Sequence, residues 1–127
     1  MPASPWRTFG SPDPNLDSVA LLSYLPLKSY WGVFRLAIYA PRVVKQLATA
    51  DGLVGYSLLA RPFSKRFWTL SAWKSEATLQ AFVNRLPHSH IMTVLSPYMD
   101  KTAFVRWTVK GSELPLRWDD ALPRLPV

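Results

Sequence analysis

The sequence predicts an α+β domain whose elements run β-α-β-β-α-β. Three observations carry that expectation. Apolar residues recur at helical spacing in two stretches, around 30–50 and 76–86. Short runs of aliphatic, β-branched and aromatic residues flank those stretches. Proline, glycine and Asp-Gly signals fall between the runs.

Residues 1–17 hold Pro2, Pro5, Gly10, Pro12 and Pro14 with Ser4 and Ser11 between them, the composition of an extended arm without an element of its own. Trp6 and Phe9 are unusual in such an arm and are expected to pin it down. Ser18 to Pro26 is short and apolar, a first strand. Ser29 is placed to cap a helix from Tyr30, and Asp51-Gly52 offers a left-handed stop. Val33, Leu36, Ala37, Ala40, Val43, Val44 and Leu47 give that helix one apolar face. Pro41 lacks an N–H and crowds the preceding turn, so a kink or two short helices are expected there.

Leu53 to Ala60 and Arg66 to Lys74 read as two strands joined through Arg61–Lys65, a hairpin by length. Ser75 caps a second helix, Glu76 suits its first turn, and Leu79, Phe82, Val83 and Leu86 form its buried stripe. Pro87 interrupts, and a further helical piece runs from Ser89 to about Leu95. Thr102 to Val109 is the last strand, ended by Gly111. Residues 111–127 form a proline-rich tail with a short helix at Trp118 to Leu122. The folded domain is therefore expected over 18–110, in the split βαβ order of ferredoxin-like folds.

The strands are apolar at both parities: Val54, Tyr56 and Leu58 against Leu53 and Leu59, Trp68, Leu70 and Ala72 against Phe67 and Trp73. A sheet with one wet face would alternate. Two helices cover one face of four strands, and the arms look too proline-rich to cover the other. A second subunit packed sheet on sheet, a dimeric α+β barrel, meets the need.

Composition narrows the chemistry. The chain has 127 residues, 49% of them apolar and 18% charged, enough for one real core. The absence of cysteine excludes disulfides, thiolate metal sites and a cysteine nucleophile. No apolar run opens the sequence, and Tyr30 to Ala40, broken by Arg35, is far shorter than the roughly 20 residues of a membrane span. A cytoplasmic protein with no membrane partner is expected. The net charge of +7 comes from scattered Lys and Arg rather than a contiguous footprint, so no nucleic-acid partner is expected. Glycine-rich phosphate loops, a dinucleotide fingerprint and a Gly-x-Ser-x-Gly elbow are all missing. Five of the eight carboxylates lie near the termini, which argues against a two-carboxylate hydrolase.

One block is more specific. Phe67-Trp-Thr-Leu-Ser-Ala-Trp73, then Lys-Ser-Glu-Ala-Thr-Leu-Gln-Ala-Phe82, then Pro87-His88-x-x-x-Met92, resembles the antibiotic-biosynthesis-monooxygenase family, most of all its spheroidene-monooxygenase-like branch. There a strand ends in Trp, a capped helix contributes Leu and Phe, and Pro-His opens the next helix. Trp118-Asp119-Asp120-Ala121 is also similar to uncharacterised relatives, and the likeness spans about residues 17 to 125. It implies a dimeric α+β barrel, which agrees with the parity argument. The family's chemistry that it implies is not uniform: cofactor-free oxygenation of polycyclic phenols, haem-dependent oxygenation or haem breakdown, and members with no known activity.

The candidate residues follow. His88 and His90 are the only histidines; two apart on a helix, they diverge by roughly 200° and share no metal, so no metal site is expected. His88 matches the family's Pro-His position. It is the candidate base, having nearly the only suitable unperturbed pKa, or alternatively an axial haem ligand or a structural residue. Arg106 lies inside the last strand, where a charge needs a partner, a polar cavity or water. It could steady an anionic intermediate, or reach solvent from an edge. Tyr56, Trp68, Trp73 and Phe82 are the candidate lining of a flat apolar pocket, and equally plain core. Asn84 carries the side chain that cofactor-free oxygenases use on a phenolate, but a helix-surface position weakens the case. The combined expectation is a homodimeric monooxygenase-like enzyme for a hydrophobic aromatic or polyene small molecule, cofactor-free or haem-dependent through His88. The alternative is a non-catalytic small-molecule-binding or structural homodimer of the same fold.

Overall fold

A computed structural model describes residues 4–9, 14–85 and 88–125, with the side chains of residues 88 and 89 outside that description. Its elements are β1 (Arg7–Thr8), β2 (Asp17–Pro26), α1 (Tyr30–Leu47), β3 (Leu53–Arg61), β4 (Arg66–Trp73), α2 (Glu76–Val83), α3 (His88–Leu95), β5 (Ala103–Lys110) and α4 (Trp118–Ala121). One antiparallel sheet has the order β1-β3-β4-β2-β5. Without β1 this is the ferredoxin-like order, and the α+β class holds.

Local chemistry accounts for the element ends. Ser29 is extended, and its side chain accepts from the Gly32 N–H at 3.3 Å, starting α1. Ser75 forms a reciprocal capping box with Thr78: each side-chain oxygen accepts from the other residue's N–H at 3.2 Å. Lys65, at φ 59°, closes the β3–β4 hairpin behind a 3₁₀ turn, Pro62–Ser64. Gly52, at φ +80°, turns the chain into β3. A Cβ there would stand 2.5 Å from the Thr78 side chain.

α1 departs from expectation in three ways. It runs unbroken through Pro41, because Pro41 and Ala37, whose carbonyl it leaves unbonded, are both exposed and water can serve that oxygen. It ends at Ala48, before the Asp51-Gly52 turn. Ala37, expected on the buried face, is on the exposed one. The residue 86 of the expected α2 stripe and Pro87 lie outside the described residues.

The arms also differ from expectation. Part of the N-terminal arm is an element: β1 pairs with β3, Arg7 opposite Tyr56 and Thr8 opposite Gly55. Trp6 lies against Gly55, where an added Cβ would stand 2.5 Å from the indole, and Phe9 stacks on Tyr56 with ring centroids 5.8 Å apart. The tail folds back as α4 and a 3₁₀ turn. Ala121 and Leu125 join Leu22, Leu59, Trp68 and Leu70 in one core cluster, with Trp6, Leu116 and Trp118 packed around it. Leu22 and Leu70 are 0% exposed. The chain itself thus covers much of the sheet face that a second subunit was expected to cover, while Ala103, Val105 and Trp107 of β5 stay half-buried on it. Proline-rich segments suffice because they present large apolar side chains without needing ladder hydrogen bonds. The other face lies under the helices and holds the second cluster, built from Leu47, Leu53, Tyr56, Trp73, Leu79 and Phe82.

Candidate functional site

Antiparallel register places Tyr56, Ser71, Leu21 and Arg106 in one row across β3, β4, β2 and β5. The row lies on the helix-covered face. At one end, Tyr56 packs with Trp73 and Phe82. Trp73 and Phe82 stand 5.1 Å apart at a 40° tilt, and Trp73 donates its Nε1–H to Ser71 Oγ at 3.0 Å. Three of the four expected pocket aromatics are therefore together, all buried.

Trp68 is not with them. Side chains alternate along a strand, and Trp68 emerges on the opposite face, stacked on Tyr24 at 5.3 Å beneath the tail. The sheet separates it from the other three.

At the other end of the row, Arg106 forms an ion pair with Glu76 in the first turn of α2. Its side chain is 43% exposed and that of Glu76 51%. Gln80 stands one turn further on, and with its amide oxygen turned to the guanidinium it accepts from Arg106 Nη1 and Nη2 at 3.2 Å. The charge on this strand is thus matched locally at the edge of the sheet. Glu76 and Gln80 were not legible as partners, since 30 residues separate Glu76 from Arg106 and only strand register unites them. An i, i+4 pair of polar side chains facing the last strand is the signal that could have suggested it.

Position 88 opens α3, which packs against α1 and α2 and buries Ile91 and Leu95. The His88 side chain lies outside the described residues, while His90 is exposed. Asn84 is exposed at the end of α2. Among the described residues no group of three or more His, Cys, Asp or Glu could hold a metal ion.

Open space beside this face is a cleft of about 280 Å³ between the end of α1 and α2. Ala50, Ala77, Ala81 and Phe82 give it an apolar floor, and Gln46, Thr49, Asp51, Thr78 and Arg85 a polar rim. At about 280 Å³ it lies just below the roughly 300 to 1,000 Å³ of small-ligand pockets. The haem expectation rests on His88, whose side chain lies outside the described residues. A second cleft of about 510 Å³, on the far face between β5 and the tail, is lined by Trp107, Glu113, Arg117, Asp119, Asp120 and Arg124.

No protein-family model and no curated protein matches this sequence. Solved structures do match its fold. A cofactor-independent oxygenase, SnoaB from Streptomyces nogalater, superposes with a TM-score of 0.61 at 15% identity, over 79% of this chain and 99% of its own. A structure described as an antibiotic biosynthesis monooxygenase matches at 0.62 and 12% identity, over 70% and 95%. A dimeric ferredoxin-like protein of unknown function from Thermobifida fusca matches at 0.61 and 11% identity, over 74% and 92%. The likeness read from residues 67–92 is thus met at the level of the fold: this chain has the α+β fold of the antibiotic biosynthesis monooxygenases.

Proposed function

We propose that this protein is a cofactor-free, monooxygenase-like enzyme acting on a hydrophobic aromatic or polyene small molecule. The observation that carries the reading is the fold shared with a cofactor-independent oxygenase over nearly that protein's whole length. The aromatic cluster of Tyr56, Trp73 and Phe82, opening through Phe82 onto the cleft, supports it. Trp68 has no part in this site.

The chemistry needs little from the protein. His88 takes a phenolic proton, and the electron pair left on the substrate makes a ring carbon nucleophilic. That carbon bonds dioxygen. One oxygen atom stays as a carbonyl, and the other leaves as water with two hydrogens from the substrate, which is the reductant. Arg106, whose charge Glu76 and Gln80 match at the β5 edge and which does not line the cleft, has no role in this step. A homodimer belongs to the proposal, supported by the neighbour described as dimeric. A cytoplasmic location belongs to the proposal as well.

Oxygen uptake with a polycyclic phenol tests the reading. We expect one O₂ consumed per product, without added cofactor and with a colourless protein. His88→Ala should lower turnover by roughly 10²- to 10⁴-fold, the usual contribution of a positioned acid or base, with folding intact. His90→Ala, at an exposed position, should be silent. Equal effects in the two variants would remove His88 from the site. Phenol binding without any oxygen uptake would favour the non-catalytic binding protein instead.

A further inference from the structure

The outer face of α1 is inverted for a surface helix. Tyr30, Trp31, Phe34 and Ile38 are 51–60% exposed, and Trp31 stacks on Phe34 at 5.6 Å. Exposed Ala37 and Pro41 lie on the same side, so the first three turns present no charge at the centre of this face. The opposite side of the helix packs through Val43, Val44 and Leu47. A helix apolar on both sides is normally covered on both. The β3–β4 hairpin extends the patch: Tyr30 donates its O–H to the Phe63 carbonyl at 2.7 Å, and Phe63 projects beside it, 90% exposed.

Cations border this surface. Lys65 Nζ stands 5.1 Å from the Tyr30 ring centre, and the Arg35 guanidinium lies between the Trp31 and Tyr98 rings, 5.3 and 5.4 Å from their centres. Arg42 and Lys45 follow on the exposed side. No Asp or Glu occurs between Asp17 and Asp51, or between Asp51 and Glu76, so α1 and the hairpin carry none. Asp100 donates its N–H to the Pro26 carbonyl, ahead of α1.

We infer that the outer face of α1, with the Phe63 tip, docks on an anionic lipid surface. Aromatic rings suit the depth of lipid headgroups, and the bordering Arg and Lys can extend to the phosphates while their stems stay on apolar surface. Charge excludes the simplest rival. A twofold contact between copies would set this patch against itself, cation against cation with no acid to match. The expectation of no membrane partner rested on the lack of a spanning segment, and none of the described helices could span; surface docking does not need one.

Vesicle co-sedimentation of the full chain tests this, with phosphatidylcholine alone and with added phosphatidylserine. We expect binding only with phosphatidylserine, weakened by salt, and at least tenfold weaker in Phe34→Glu and in Phe63→Ser. Both positions are exposed, so the fold should stand, and circular dichroism checks it. Three outcomes would overturn the inference: no binding to either vesicle; binding unchanged in Phe34→Glu but lost in Arg42→Glu, which is adsorption by charge alone; or Phe34→Glu turning a dimer into a monomer without lipid, which makes a second copy the occupant. The readout is independent of turnover, so failure of the enzyme proposal leaves it standing.

Discussion

Ser57 ties both ends of the described chain to the middle of the sheet. Its hydroxyl donates to the Ser4 carbonyl at 2.6 Å and accepts from Trp118 Nε1–H at 2.9 Å, and the residue is 2% exposed. Replacing it by alanine leaves one acceptor and one donor unpaired beside an apolar core. The expected cost for Ser57→Ala is about 1–3 kcal/mol in urea unfolding, with loosening of both Trp6 and Trp118 visible in fluorescence. A change within error would mean that packing alone holds the tails. Such a residue is invisible in the sequence, because a serine in a strand carries no mark of partners 53 and 61 positions away. Ser29 and Ser75 were readable because a cap bonds its own next turn. Arg106 was half readable: a charge inside a strand announces that it needs a partner, and only the fold supplies Glu76.

Elements were legible where the signal is local. Periodicity and turn chemistry gave the βαββαβ order, the hairpin and the α4 segment nearly in place. Pro41 was misread, because whether a proline breaks a helix depends on which way the freed carbonyl points. Here Ala37 and Pro41 are both exposed, so water can reach that carbonyl, and packing by the helix's other side keeps both halves aligned. The residue is then tolerated rather than required. Pro41→Ala should restore one helical hydrogen bond and raise stability by roughly 1–3 kcal/mol, less than the full penalty of a buried proline. The urea midpoint should rise with an unchanged slope; no rise would mean that the proline's restraint on the unfolded chain offsets the bond.

For the whole molecule, the sequence announced correctly that both faces of the sheet need cover, but not what supplies it. Hydropathy reports that Leu22, Leu59 and Leu70 will be dry; it does not say whether a neighbouring copy or the same chain dries them. Within the pocket, parity already set Trp68 apart from Trp73, whereas the packing of Phe82 and Tyr56 on Trp73 depends on how α2 and β3 lie over β4, which no local signal carries. With the tail packed on much of the far face, the proposed homodimer forms at the half-buried β5 side, elsewhere, or by exchange of tails between copies. Sedimentation at micromolar concentration should give about twice the 14.4 kDa of one chain. A species of 14.4 kDa would leave the tails as the sole cover. The tail's place also has a consequence during synthesis. β2, β3 and β4 leave the ribosome before Trp118, Ala121 and Leu125 do. Until those residues emerge, the nascent chain carries an apolar sheet face open to every other unfinished chain nearby, and that interval is when it is most exposed to misassembly and chaperone capture.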